Sequence, residues 1–126
     1  MPAFSKATAP TINAMGPGTE HAGTMDEYSV GIVAVSADQS LEPLLKGLPE
    51  DLCWCPHWGY LISGQMSVKY ADKVEVFGPG EAFYMPPGHA PSVIGGTEFV
   101  IFSPTDLLAV TEAQIQLNVA QLTAAG

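Results

Sequence analysis

The sequence predicts an all-β domain, either a sandwich or a barrel, followed by one C-terminal helix. From residue 51 onward, short β-prone segments alternate with Gly/Pro turns such as Gly78-Pro79-Gly80 and Pro86-Pro87-Gly88. The segment Tyr28–Ser36 is apolar and rich in β-branched residues, which is typical of a buried strand. Residues 106–122 contain neither Gly nor Pro, and their apolar residues recur at helical spacing.

The elements follow one another in a simple order. Residues 1–26 are rich in Pro, Gly, Ala and Thr and predict an irregular N-terminal arm with at most one short edge strand. Residues 37–50 predict a loop that lays leucines on the core, and Ser103-Pro104-Thr105-Asp106 predicts the start of the helix. The remaining segments predict a strand over Leu52–Ser63, a hairpin of Gln65–Tyr70 and Lys73–Phe77, a strand over Ala82–Met85, and a hairpin of Ser92–Ile94 and Glu98–Phe102.

Composition excludes several classes of partner. The chain of 126 residues has a net charge of −9, four lysines and no arginine, so it cannot form the basic surface that nucleic acid or an anionic membrane requires. No apolar run is long enough for a membrane span, and the N-terminal residues lack the apolar core of a signal peptide. We therefore expect a cytoplasmic protein whose two cysteines are thiols.

Four residues of the β region fit two known sequence signatures. Gly64 occupies the closing glycine of the first cupin signature, and Gly80, Pro86 and Gly88 have the spacing of the second. Over residues 51–103 the sequence thus resembles the cupin superfamily. This resemblance implies a double-stranded β-helix, or jelly-roll, with a cupin barrel over 27–104 and the helix over 105–126 packed on it.

The ligand positions of this sequence differ from those of the cupin signatures. His57 stands where the family has a glutamate, and Cys53 and Asp51 stand where it has a pair of histidines. The second signature's histidine position is Pro91, and the nearest histidine is His89. The resemblance therefore implies metal ligation by Cys53, His57 and Asp51.

Strand geometry adds two residues to this set. Side chains two residues apart on a strand share a face, so Cys53, Cys55 and His57 point the same way unless Pro56 introduces a bulge. His89 has the same parity as position 91 and follows a rigid turn. Two thiolates and two imidazoles form a tetrahedral set suited to Zn²⁺ or Fe²⁺. The alternative is that the cysteines are small buried hydrophobes and the histidines are hydrogen-bonded interior residues.

Aromatic residues around this cluster are the candidate pocket walls. We assign Tyr60, Tyr84 and Phe102 to the pocket, with ordinary core packing as the alternative. Trp54 and Trp58 alternate with the cluster residues and are expected to face outward, either at an interface or in ordinary packing.

Three functions are consistent with these residues. The first is a metal-binding single-domain cupin that binds or acts on a small molecule in its pocket; as an enzyme, the family range implies dioxygenase or isomerase chemistry. The second is a metal-free binding module in which the two histidines hold a ligand by hydrogen bonds. The third is a regulatory homodimer without catalysis.

Overall fold

The computed structural model describes residues 3–125. This part of the chain forms two antiparallel sheets and one long helix. The six-stranded sheet has the order β1-β2-β3-β10-β5-β8, and the four-stranded sheet has the order β4-β9-β6-β7. The elements are β1 (Thr11–Met15), β2 (Gly18–Met25), β3 (Tyr28–Val35), β4 (Gln39–Ser40), β5 (His57–Ser63), β6 (Met66–Lys69), β7 (Val74–Phe77), β8 (Ala82–Met85), β9 (Ala90–Val93), β10 (Glu98–Pro104) and α1 (Thr105–Ala125).

The main core lies between the two sheets. Alternating positions of β5, β6 and β8 are buried, which is the period-2 pattern of strands with one face inward. Leu61, Met66 and Phe83 are fully or almost fully buried in one cluster that draws on both sheets. The predicted all-β class with a C-terminal helix is confirmed.

The N-terminal segment differs from the irregular arm that its composition predicts. Of its residues, 11–25 form the β1–β2 hairpin, and β2 pairs along its whole length with β3. Gly16, with φ of 63°, makes the turn between the two strands. The strand signal is weak in the sequence because β1 is mostly exposed and carries few large apolar side chains. Residues 1 and 2 lie outside the described part.

One of the two predicted hairpins is confirmed and the other is wrong. Strands β6 and β7 pair with each other around Ala71-Asp72, as predicted. Strand β9, however, pairs with β4 and β6, whereas β10 pairs with β3 and β5 in the other sheet. The Gly95-Gly96 segment therefore carries the chain from one sheet to the other.

Helix α1 covers a second apolar cluster at one end of the sheets. Leu108 and Ile115 of α1 pack against this cluster, which contains Leu45 and Leu48. These two leucines come from the connection between β4 and β5, which forms two short 3₁₀ turns and does lay leucines on the core, as predicted. No helix within residues 3–125 combines the length and the apolar character needed to cross a bilayer.

Candidate metal centre

Three side chains that can ligate a metal meet in the second apolar cluster. One donor atom from each of Cys53, His57 and His89 lies within 4.8 Å of the other two. All three residues are buried, with exposed fractions of 3%, 7% and 0%.

Main-chain hydrogen bonds bring two of these residues together. Cys53 and His89 form an isolated antiparallel bridge, in which the Cys53 amide donates to the His89 carbonyl at 2.8 Å. The His89 amide donates in return to the Cys53 carbonyl at 3.1 Å. His57 opens β5, and its Nε2 lies 3.6 Å from the Cys53 sulfur. Two distant stretches of chain are thus fixed side by side by their backbones.

Each imidazole is held by a hydrogen bond at Nδ1. His89 Nδ1 lies 2.6 Å from the Pro86 carbonyl oxygen, so it carries the proton and donates to that oxygen. His89 Nε2 is then the unprotonated nitrogen, and it is buried with no hydrogen-bond partner among residues 3–125. His57 Nδ1 lies 2.6 Å from Ser103 Oγ. A hydrogen bond at Nδ1 that leaves Nε2 to face the ligand is how metal-ligating histidines are oriented in proteins; here His57 Nε2 faces the Cys53 sulfur and His89 Nε2 has no hydrogen-bond partner among the described residues.

Burial controls the protonation of the cluster. It lowers the pKa of His57 to about 3, with a further contribution from His89, and it also lowers the pKa of His89. Both rings are therefore neutral near pH 7 and can donate a lone pair. Burial raises the pKa of the Cys53 thiol, against the opposing effects of hydrogen bonds with Thr111 and the Cys55 carbonyl. A metal at this cluster would thus have to displace the thiol proton.

Similarity to solved structures identifies the architecture. A protein of unknown function from Rhizobium leguminosarum bv. viciae 3841 matches with a TM-score of 0.59 and 21% identity, over 82% of this chain and 95% of that one. A variant of Bacillus subtilis oxalate decarboxylase, which is a cupin, matches with a TM-score of 0.59 and 19% identity over 80% of this chain. The same enzyme at pH 4.6 matches with a TM-score of 0.58 and 18% identity. The protein has a cupin fold.

The likeness concerns the fold and one part of the larger enzyme. This chain aligns with 28% of the length of the oxalate decarboxylase chain. No protein-family model matches the sequence, and no curated protein matches it either. The chemistry of this cupin fold must therefore be argued from its own residues.

Cys55 lies outside the group of three. The strand predicted over Leu52–Ser63 begins only at His57, because the chain bends at Cys55 and Pro56. Cys55 is buried, but its sulfur lies 3.5 Å from the Pro56 carbonyl oxygen and it does not belong to the set of mutually close donors. Burial, followed by the nearby Cys53, raises the pKa of the Cys55 thiol to about 12. Both cysteines are unbridged.

Asp51 is also outside the group. Its carboxylate accepts a hydrogen bond from the Gly47 amide at 3.1 Å, and the residue is exposed. Its side chain therefore stabilises the turn before Cys53.

The aromatic residues assigned to the pocket lie on the outer surface of the cupin fold. Tyr60, Tyr84 and Phe102 are between 39% and 48% exposed. Each stands at a strand position whose sequence neighbours face inward, so strand alternation turns its ring to solvent. Trp58 stacks on Tyr84 at 5.3 Å between ring centroids. Trp54 and Trp58 are both 41% exposed, which confirms that they face outward.

Two residues at the cluster are not among the candidates that the sequence indicates. Ser103, at the end of β10, reaches His57, and Thr111 of α1 lies with its hydroxyl 3.6 Å from the Cys53 sulfur. The sequence predicts that Ser103 belongs to the start of the helix, whereas it lies at the end of β10. Extending strand alternation from Glu98 to Ser103 would have indicated an inward side chain, whereas Thr111 depends on how the helix docks.

Proposed function

We propose that this protein binds one divalent metal ion through Cys53 Sγ, His57 Nε2 and His89 Nε2. The observation that carries the proposal is the buried, unpartnered Nε2 of His89 within a group of donors no more than 4.8 Å apart. A buried polar atom without a partner costs on the order of 1–3 kcal/mol, and a metal ligand bond would offset that cost. The hydrogen bonds at both Nδ1 atoms support the same ligand orientation.

The donor set indicates the class of metal. One thiolate and two imidazoles suit Zn²⁺ or Fe²⁺ better than the hard cations Mg²⁺ and Ca²⁺, which prefer oxygen. Three protein ligands are the number found in catalytic zinc sites, where a further position takes water or substrate. When bound, such an ion would act as a Lewis acid toward that ligand.

We further propose that the bound metal takes part in binding or converting a small polar molecule. A surface groove of about 750 Å³ lies against Leu52 and Ala90, the chain neighbours of Cys53 and His89. Both basic and acidic residues line this groove, which suits a ligand that carries groups of both charges. The charged lining residues are Lys46, Lys69, Glu42, Glu50 and Asp51.

Metal analysis of matched variants tests the metal site. Wild-type protein and a His21→Gln control, whose substitution lies on β2 outside the cluster, should each bind one Zn²⁺ or Co²⁺ per chain in equilibrium dialysis. His57→Gln and His89→Gln should lose most of this binding, because each removes one of three ligands. Equal binding by all four proteins, or none by the wild type, would refute the metal site.

A second candidate concerns assembly. We propose that two copies pair through the outer face of the six-stranded sheet, because Trp58, Tyr60 and Tyr84 form an exposed aromatic surface there. Sedimentation should show a dimer for the wild type and a monomer for Trp58→Ser combined with Tyr84→Ser. A wild-type monomer at micromolar concentration would contradict this pairing.

The two unbridged thiols fit a reducing compartment, and we propose that the protein is located in the cytoplasm.

A further inference from the structure

Helix α1 is held to the cupin fold by few inward contacts, and two of them are polar. Its inward positions are Leu108, Thr111, Ile115 and Asn118, with spacings of three, four and three residues. Leu108 and Ile115 pack on the second apolar cluster, and Asn118 Nδ2 donates to the main-chain carbonyl oxygens of residues 44 and 46 at 2.6 and 2.8 Å. Five other apolar side chains of α1 are exposed; they are Leu107, Val110, Leu117, Val119 and Leu122.

Thr111 is the one of these inward residues with a hydrogen-bond contact to a proposed ligand. It is 4% exposed, and its hydroxyl lies 3.6 Å from the Cys53 sulfur. In the thiol form either atom can donate, and the thiol proton has two other candidate acceptors, the Cys55 carbonyl oxygen at 3.8 Å and His57 Nε2 at 3.6 Å. The hydroxyl of a threonine within a helix can also donate to a main-chain carbonyl of the preceding turn. The hydrogen bond to the Cys53 sulfur is therefore one of two that the Thr111 hydroxyl can make.

Ligation changes the roles within this pair. A metal-bound Cys53 is a thiolate, which accepts hydrogen bonds and donates none. The Thr111 hydroxyl then becomes the donor, and a hydrogen bond to a charged acceptor is roughly twice as strong as one between neutral groups. Because Thr111 Oγ1 lies 3.6 Å from the Cys53 sulfur, the contact between α1 and the body of the protein would strengthen when Cys53 binds a metal.

We propose that Thr111 is a positioning residue of the metal centre, whose hydroxyl donates to the Cys53 thiolate and couples metal binding to the docking of α1. The inference rests on the metal site proposed above. The coupling is reciprocal: metal stabilises the docked helix, and the docked helix stabilises the bound metal by the same factor. Thr111 touches a ligand and no metal, so its effect is on affinity and on the electronic properties of the sulfur.

Substitutions at Thr111 separate the hydroxyl from the shape of the side chain. Thr111→Val keeps the branched shape and removes the hydroxyl, whereas Thr111→Ser keeps the hydroxyl. In a competition assay with a chromophoric chelator, Thr111→Val should bind Co²⁺ about tenfold more weakly than wild type, and Thr111→Ser should restore most of the affinity. The sulfur-to-cobalt charge-transfer band should shift in Thr111→Val and return in Thr111→Ser, because the band reports the hydrogen bond to sulfur.

Hydrogen exchange tests the helix side of the coupling. In wild-type protein, Zn²⁺ should slow amide exchange over residues 105–118 several-fold, and Thr111→Val should remove this effect. Asn118→Leu is the matched control, because it removes docking hydrogen bonds that do not involve the sulfur. It should speed exchange with and without metal and leave the cobalt band unchanged. If Thr111→Val does not fold, Thr111→Ala takes its place.

The two proposals fail in different ways. Wild-type protein that shows a sulfur-to-cobalt band, with Thr111→Val identical to it in affinity, band and exchange, overturns the role of Thr111 and leaves the metal site intact. Wild-type protein that binds no cobalt overturns the metal site and the inference together.

Discussion

The burial of His57 makes the stability of the metal-free protein depend on pH in a calculable way. Its pKa is lowered from 6.5 to about 3, chiefly by burial. Between these values the unfolded chain binds a proton at this ring and the folded chain does not, so stability is lost as pH falls below 6.5. From about pH 7 to about pH 5, this one group removes about 2 kcal/mol from the free energy of unfolding. His89, with its lowered pKa, acts in the same direction.

Urea titrations of chelator-treated protein at the two pH values measure this effect. A change of about 2 kcal/mol moves the wild-type midpoint by about 1 M. His57→Gln should reduce the pH-dependent difference by about the part that His57 supplies, because Gln does not titrate. If His57→Gln has the same pH dependence as wild type, then burial does not hold His57 neutral and the electrostatic reasoning fails.

Three further predictions concern the surroundings of the cluster. Ser103→Ala should weaken zinc affinity by about 10- to 100-fold in chelator competition, because it frees the bonded nitrogen of a proposed ligand; unchanged affinity would contradict this role. Cys55→Ser should keep one cobalt ion and the sulfur-to-cobalt band, whereas Cys53→Ser should lose the band; the reverse result would make Cys55 the ligand. Gly64→Ala should lower the free energy of unfolding by roughly 1–3 kcal/mol in urea titration, since Gly64 has φ of 83° and its added Cβ would overlap Thr97; unchanged stability would show that the turn can relax.

The turns of the backbone are easier to predict from the sequence than the pairing of strands between distant parts of the chain. Gly64, Gly80 and Gly88 all have positive φ, so the turns that support the cupin resemblance are places where the chain needs glycine. The β1–β2 hairpin lacks such a signal because its strands are short of large apolar residues. Strands β9 and β10 belong to different sheets, and this depends on tertiary packing that the sequence of the Gly95-Gly96 turn does not indicate.

In the candidate site, too, local sequence patterns predict some residues, whereas contacts between distant parts of the chain are not predicted. Strand alternation places Cys53 and His57 inward, and the rigid turn before His89 marks that residue, so the sequence predicts all three members of the group. Cys55 has the right spacing, but the bend before β5 separates its sulfur from the others. The contacts of Ser103 and Thr111 span 46 and 58 residues, and no pattern within a short window reports such distances.

The main-chain bridge between Cys53 and His89 has a consequence for redesign. Amide and carbonyl groups set the separation of these two positions, and those groups are the same for every residue except proline, which lacks the amide hydrogen. Exchanging Cys53 for histidine or aspartate would therefore change the softness of the donor without moving its anchor point. At the proposed metal site, such a substitution would shift the preference from one metal toward another.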